Sequence, residues 1–450
     1  VHERAVSEEM GELLESLKDS EYTKETNSPD AVNIREIGRY YVKQKKLSKE
    51  FVEELTRVTS QAEHAWVAAR KKKDFAQFLP HLEKVIKLKR DQADAYGYEN
   101  DPYDCLIDDY EPGATYESIG KVFAAFRKEL VPFLEAIMNS GKKSKFEIVG
   151  REYPIDSQKK FGMEVAKIIG FDFEAGRLDV TTHPFCSGIG PGDTRITTRY
   201  NPNRFPDAFF GTLHEAGHGI YDQGLNRDYF GLPMGGAVSL GIHESQSRMW
   251  ENLVGRSRAF WEHFYGKAQK TFSGALGDVS QDDFFWAIND VRPSFIRVEA
   301  DEVTYNLHII LRFELERELI NNELSPADLP EAWNKRFEEY FGITPPDIAL
   351  GCIQDVHWSA GLFGYFPTYA LGNLYASQFF AKAKEDISDL YGQFRKGEFG
   401  DLKRWLNERI HSQGQRHPAE ELVQVVTGKP LSHAALMSHM KEKFGELYGV

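Results

Sequence analysis

Apolar residues recur at intervals of three and four over most of the stretch from Ser7 to Asn139, as in Ile34, Ile37 and Tyr41 or Phe123, Phe126, Leu130, Phe133 and Ile137. On a helix that spacing lines them along one face, so the N-terminal part of the chain is predicted to be an α-helical body. One segment interrupts it. Asp101 to Gly113 holds turn residues and five carboxylates (Asp101, Asp104, Asp108, Asp109, Glu111). Their spacing does not match an EF-hand, and a solvated loop is expected, with Thr115 as the N-cap of the next helix.

From Phe146 the pattern changes. Short β-like pieces are predicted at Phe146 to Tyr153, Arg177 to Thr182 and Arg195 to Tyr200, around one helix from Asp156 to Ile169. The run Asp193 to Thr198 reads either as a plain edge strand or as a cleft-side strand able to pair with a peptide backbone. Helices then return. Ala237 to Leu253 is predicted as one of them, and Ser280-Gln281-Asp282-Asp283 and Ser325-Pro326-Ala327-Asp328 read as further helix starts. The fold class is therefore mainly α with a small β-sheet.

With 450 residues, 41% of them hydrophobic, and no linker, repeat or low-complexity tract, the expected organisation is a single domain, 1–450, large enough for two lobes. The formal net charge of −14 argues against a nucleic-acid surface, and the short Lys71-Lys72-Lys73 run reads as a solvated helix face. No membrane span and no secretion signal are recognised. Cys105, Cys186 and Cys352 are widely spaced and odd in number, so no disulfide framework is expected and buried thiols in a reducing compartment are.

The chemistry is concentrated in His214-Glu215-Ala216-Gly217-His218, an H-E-x-x-H motif. On a helix its two histidines project from one face, one turn apart, and can reach a single metal ion. Glu215 is then held beside the ion's open position, where a general base for a water belongs. Gly217 and Gly219 disfavour a helix by about 1 kcal/mol each relative to Ala, which suggests the close approach of another backbone or of a substrate. A third ligand is available at Glu244. Glu251 lies one heptad further on, and spacing alone does not choose between them; Glu244 is preferred for its closeness to the Gly-rich turn before it. A carboxylate orienting a ligating histidine is also expected, but Arg248 stands one turn after Glu244, and the orienting group has no assigned position.

Two further stretches are dense in polar and aromatic groups. Ile296 to His308 is read as either an interior polar network or a solvated face, and Gly351 to Tyr369 as a cleft wall or a core aromatic cluster. In the second, His357 or a Tyr hydroxyl is a candidate donor to the oxyanion of an attacked amide.

Taken in order, these segments resemble the M32 family of metallocarboxypeptidases, the carboxypeptidase Taq type. The matching motifs are His183-Pro184-Phe185, Asp193 to Thr197 as D-x-R-x-T, His214 to His218, His243-Glu244-Ser245-Gln246, Ile296 to Asp301 as I-R-x-x-A-D, and Gly351 to Trp358 as G-x-x-Q-D-x-H-W. The resemblance implies a two-lobed helical fold with a deep central groove, similar to neurolysin and angiotensin-converting enzyme. It implies a cytoplasmic homodimer acting on peptide substrates, with no nucleic-acid or membrane partner. Carried over, it makes His214, His218 and Glu244 the ligands of zinc or cobalt and Glu215 the general base that directs metal-bound water at the last peptide bond. Arg297 becomes the receptor for the terminal carboxylate. His357, Tyr365 and Tyr369 become groups for substrate or oxyanion, and Arg195 and His183 substrate-binding residues. Family members usually carry an N-terminal helical hairpin ahead of the point where this sequence opens, so the hairpin is expected to be absent. The alternatives are an oligopeptidase or dipeptidyl carboxypeptidase, and a catalytically silent, metal-stabilised binding protein.

Overall fold

The computed structural model describes residues 2–450 and is mainly helical, with one three-stranded sheet. The chain divides into two compact units, residues 1–134 with 292–370 and residues 135–291 with 371–450.

In the first unit, the helices Pro29–Lys45, Lys49–Lys72 and Phe75–Tyr96 begin at Ser28, Ser48 and Asp74, each of which accepts a hydrogen bond from a first-turn backbone N–H. Val58, Ala62, Phe78, Leu82, Val85 and Ile86 form part of the core. Thr115 caps the Tyr116–Asn139 helix as expected, paired reciprocally with Ser118. The acidic segment is not a solvated loop. It contains the helix Pro102–Ile107, capped by Asp101, and its carboxylates are occupied within the protein. Asp101 accepts from Arg317 and Asn321, Asp104 from the Tyr116 N–H, and Asp108 from Lys43 and the Gly113 N–H. Asp109 pairs with Lys43, and Glu111 is buried. The cations that neutralise them lie far away in sequence, which is why the segment reads as surface. The helix Tyr305–Ile320 is buried almost all round, and with Arg297, Thr304, Asn306 and His308 inside, the 296–308 stretch is mostly interior, Val298 and Glu299 alone in it being exposed.

In the second unit, β1 (Gly176–Val180), β2 (Cys186–Gly190) and β3 (Asp193–Thr198) form a sheet in the order β1-β3-β2. β1 runs parallel to β3, and β2 runs antiparallel with an irregularity at Gly188/Gly190. β3 is thus the central strand. Both of its edges are used, which corrects both readings of Asp193–Thr198; the neighbour that occupies one edge, Cys-Ser-Gly-Ile-Gly, has too much glycine to announce itself as a strand. A second correction concerns Phe146 to Tyr153, which holds the 3-10 turn Phe146–Gly150 and no strand. Ile148 and Val149 are both buried, and a strand would send consecutive side chains to opposite faces. Of the cysteines, all free, only Cys352 is buried; Cys105 and Cys186 are half-buried. Among the described residues no helix is long and apolar enough to cross a membrane.

The helix Phe205–Gly224 carries the H-E-x-x-H motif. Its first turns are anchored in an aromatic cluster: Phe205 stacks on Phe209 at 5.1 Å, Phe209 meets Trp261 at 5.3 Å, and Trp261 meets Phe284 at 4.7 Å. Ser280 caps the Gln281–Ile288 helix that brings in Phe284. The glycines of the motif are explained by what presses on them. A Cβ on Gly217 would lie 2.6 Å from the Gln246 carbonyl oxygen and 2.7 Å from the Ser247 Cα, and one on Gly219 would lie 2.4 Å from the Phe171 ring. The neighbouring backbone belongs to the helix Leu240–Arg248, which starts at the Ser239 cap, later than predicted, and passes at Arg248 into a π-helical turn, Met249–Val254.

Candidate metal centre

With no side chain on Gly217 between them, the Phe205–Gly224 and Leu240–Arg248 helices bring His214, His218 and Glu244 together, their ligand atoms all within 4.8 Å of one another. Glu244 Oε2 stands 3.6 Å from His214 Nε2 and 3.4 Å from His218 Nε2. Ligand atoms at about 2.1 Å around a tetrahedral ion are about 3.4 Å apart, so two imidazoles and one carboxylate oxygen are spaced to hold a divalent metal here.

Behind these atoms lies a layer that the sequence left unassigned. Glu251 Oε2 is 2.9 Å from His214 Nδ1, so the carboxylate weighed as a rival ligand instead meets the far ring nitrogen of a candidate ligand. This bond fixes the His214 proton on Nδ1 and frees Nε2 for the metal. Arg248 spans both acids, donating from Nε to Glu244 Oε1 at 2.7 Å and from Nη1 to Glu251 Oε2 at 3.2 Å. Glu244 is therefore left with Oε2 facing the histidines. His218 is treated differently. Its Nδ1 is 2.6 Å from His243 Nδ1, and His243 Nε2 is 3.0 Å from Asp222 Oδ1. With Nε2 of His218 kept for the metal, the protons fall in one consistent order: His218 donates to His243, and His243 to Asp222. Asp222 is one turn past His218 on the same helix, a spacing that sequence inspection can find. Gln246, the last residue of the H-E-S-Q motif, meets His411 Nε2 at 2.9 Å.

Glu215 is buried, 6% exposed. Burial pushes its carboxyl up to about 7, against the pull of His214, with Glu244 and Glu251 adding to the rise. His218 is pushed down to about 4, first by burial, and so is neutral at pH 7, as a metal ligand must be. Glu244 is held well below the usual carboxylate range, because Arg248 and the two histidines outweigh the cost of burying it.

The remaining sequence candidates fall in two places. On the sheet, Arg195 forks onto Asp193 at 3.1 and 2.9 Å, and His183 is exposed in the turn before β2. Two motifs are stitched together there, the Phe185 N–H donating to Thr197 Oγ1 at 2.8 Å. In the first unit, Arg297 is buried, 5% exposed. Its Nε and Nη2 donate to Asp355 Oδ1 at 3.2 and 2.8 Å, and its Nη1 to the Tyr305 hydroxyl at 3.1 Å. Gln354 accepts from the Arg297 N–H at 2.8 Å, and Asp301 caps the segment that follows through the Val303 and Thr304 N–H groups. His357 Nε2 lies 3.2 Å from the Tyr369 hydroxyl, and the His357 and Tyr365 rings are 5.4 Å apart. Burial pushes His357 down to about 4, leaving it neutral, and its Nδ1 is buried without a hydrogen-bond partner. Trp358 and Phe363 belong to the core.

Residues 1–444 match the family described as carboxypeptidase Taq (M32) metallopeptidase. The chain is 46% identical over 458 aligned positions to thermostable carboxypeptidase 1 of Thermus thermophilus, covering 100% of this chain and 90% of that one. It is 39% identical to carboxypeptidase 1 of Bacillus subtilis, covering 98% and 88%. Among solved structures, the M32 carboxypeptidase of Deinococcus radiodurans superposes with a TM-score of 0.96 at 39% identity, covering 100% of this chain and 90% of that chain. Matched in this way along almost its whole length, the chain belongs to the M32, carboxypeptidase Taq-type family of metallopeptidases and is a metallocarboxypeptidase.

Proposed function

We propose that this carboxypeptidase uses zinc, held by His214, His218 and Glu244, to remove single residues from peptide C-termini, with Glu215 as the general base. The observation that carries the reading is the spacing of 3.4 and 3.6 Å from one Glu244 oxygen to the two histidine Nε2 atoms, with a buried carboxyl beside them. An ion in this position supplies Lewis-acid polarisation of the scissile carbonyl and of a water. Cobalt suits the same donors. Glu215 takes a proton from the attacking water and returns it to the leaving amine, a task suited to a carboxyl near pH 7.

Arg297 receives the substrate's terminal carboxylate in this reading. Asp355 sets one negative charge against two guanidiniums, Arg297 and Arg312, so the cluster keeps a positive charge that a carboxylate would balance. Three of the five N–H donors of Arg297 go to Asp355 and Tyr305. His357, Tyr365 and Tyr369 supply hydrogen bonds to substrate and oxyanion, and Arg195 and His183 more distant contacts. The homodimer and cytoplasmic location belong to the same reading, the first open to light scattering.

Two assays test it. Glu215→Gln should bind metal normally and lose nearly all turnover; substantial residual hydrolysis would remove Glu215 as the base. Mass spectrometry of a digested peptide should give a ladder of single-residue losses that a chelator abolishes, whereas losses in pairs or internal cuts would establish the dipeptidyl or oligopeptidase alternative.

A further inference from the structure

One face of the buried helix Tyr305–Ile320 holds every segment proposed above to recognise the substrate's C-terminus. Tyr305, Arg312 and Glu316, spaced by seven and four residues, share that face, and they are 5%, 1% and 0% exposed. Tyr305 accepts from Arg297. Arg312 forks onto Asp355 Oδ2 from Nε and Nη2, at 2.9 and 2.6 Å, while Asp355 Oδ1 holds Arg297. Glu316 gathers three donors from two other segments. Its Oε1 accepts from Trp358 Nε1 at 2.7 Å, and its Oε2 from the Gly364 N–H at 2.9 Å and the Tyr103 hydroxyl at 2.6 Å.

Trp358 directly follows His357, and Gly364 directly precedes Tyr365. The loop cannot relax at that point. Gly364 has φ +84°, and a Cβ there would meet the Leu106 backbone at 2.5 Å. Fixing the loop on both sides therefore fixes the two candidate side chains, His357 and Tyr365.

We propose that Arg312 and Glu316 are positioning residues that set the preference for a free C-terminal carboxylate, Arg312 through Asp355 and Arg297, Glu316 through the loop bearing His357 and Tyr365. Neither touches the substrate. The inference rests on the reading of Arg297 as carboxylate receptor, and it predicts a selective defect. Glutamine at 316 has one acceptor oxygen where the carboxylate has two, so either Trp358 or the Gly364 and Tyr103 donors would face an amide NH2. Lysine at 312 keeps the charge and loses the planar fork.

The test compares wild type, Glu316→Gln and Arg312→Lys by the inhibition constants of a hydrolysis-resistant dipeptide with a free C-terminal carboxylate and of its C-terminal amide. Bound metal is measured alongside. The advantage of the carboxylate should shrink about tenfold or more in both variants, the amide's constant should stay nearly fixed, and metal content should be unchanged. Weakening of acid and amide by one common factor would show a merely structural role and overturn the proposal, as would an unchanged ratio. Arg312→Lys carries the test if Glu316→Gln does not fold. A wild type indifferent to amidation would remove the Arg297 reading and this inference with it, while a discriminating wild type with unaltered variants would remove the inference alone.

Discussion

Glu251 is where the assignment of the metal centre is most exposed to experiment. Its carboxylate accepts from His214 Nδ1 at 2.9 Å and from Arg248 Nη1 at 3.2 Å, both on Oε2, with Arg256 Nη2 3.9 Å from Oε1. Glu251→Gln can keep its oxygen at the Oε2 position and so preserve both bonds. It loses the charge, which makes the His214 bond roughly half as strong. Outer partners of metal histidines contribute about 10- to 100-fold in affinity, or about 1.4 to 2.7 kcal/mol, so glutamine should fall near the lower figure. Glu251→Ala also lets the His214 ring turn and takes from Arg248 one of the two acids it spans, and should approach or exceed the upper figure. Competition for zinc against a chromophoric chelator measures both variants. The expected order is wild type tighter than glutamine, tighter than alanine, with His218 still bound in each. Wild-type affinity in Glu251→Ala would refute the reasoning. So would a complete loss in Glu251→Gln, which would point to Glu251 as a ligand itself.

Two further outcomes follow from the packing. Gly217→Ala places a methyl against the Gln246 and Ser247 backbone, which cannot turn aside as a side chain can, so stability should fall by about 1–3 kcal/mol and metal affinity with it as the two helices part; unchanged urea unfolding and unchanged zinc binding would refute this. Asp355→Asn removes the shared partner of two buried guanidiniums and should cost about 3–5 kcal/mol at pH 7. The Asp355 carboxyl is held well below the ordinary range, burial being outweighed by Arg297 and Arg312, so its stabilisation is present above the unfolded value of about 3.9 and is lost as pH falls through the folded one. The gap between wild type and variant in urea midpoint should therefore narrow in acid below about pH 4, and a gap independent of pH would contradict the assignment.

Short-range chemistry was legible in the chain. The two histidines one turn apart, the glycine between them, the Ser280 and Thr115 caps and the helical periodicity each depend on residues within a few positions of one another, and each is found in the fold. Glu244 was preferred as the third ligand candidate for its place beside a Gly-rich turn, and it is the one that meets both Nε2 atoms. Where readings failed, the deciding partner was remote. The carboxylates of residues 101–113 looked solvated because Arg317 and Asn321 lie at the end of a helix more than two hundred residues away. β3 looked like an edge because β2 is nearly half glycine.

The sequence by itself determined the kind of chemistry, because side-chain type and helical spacing suffice to put two imidazoles and a base on one side of a helix. Only the tertiary structure decided which carboxylate faces both histidine Nε2 atoms and which accepts from His214 Nδ1. Glu244 and Glu251 share a helical face, and the choice was made by the approach of the Gln246 and Ser247 backbone to Gly217, by the π-helical turn after Arg248, and by the arginine placed between the two acids. It likewise turned Arg297 from an isolated cation into one arm of a buried pair sharing Asp355. An ion pair between residues 58 positions apart has no signature in spacing, since its energy depends on a burial that only the finished fold creates.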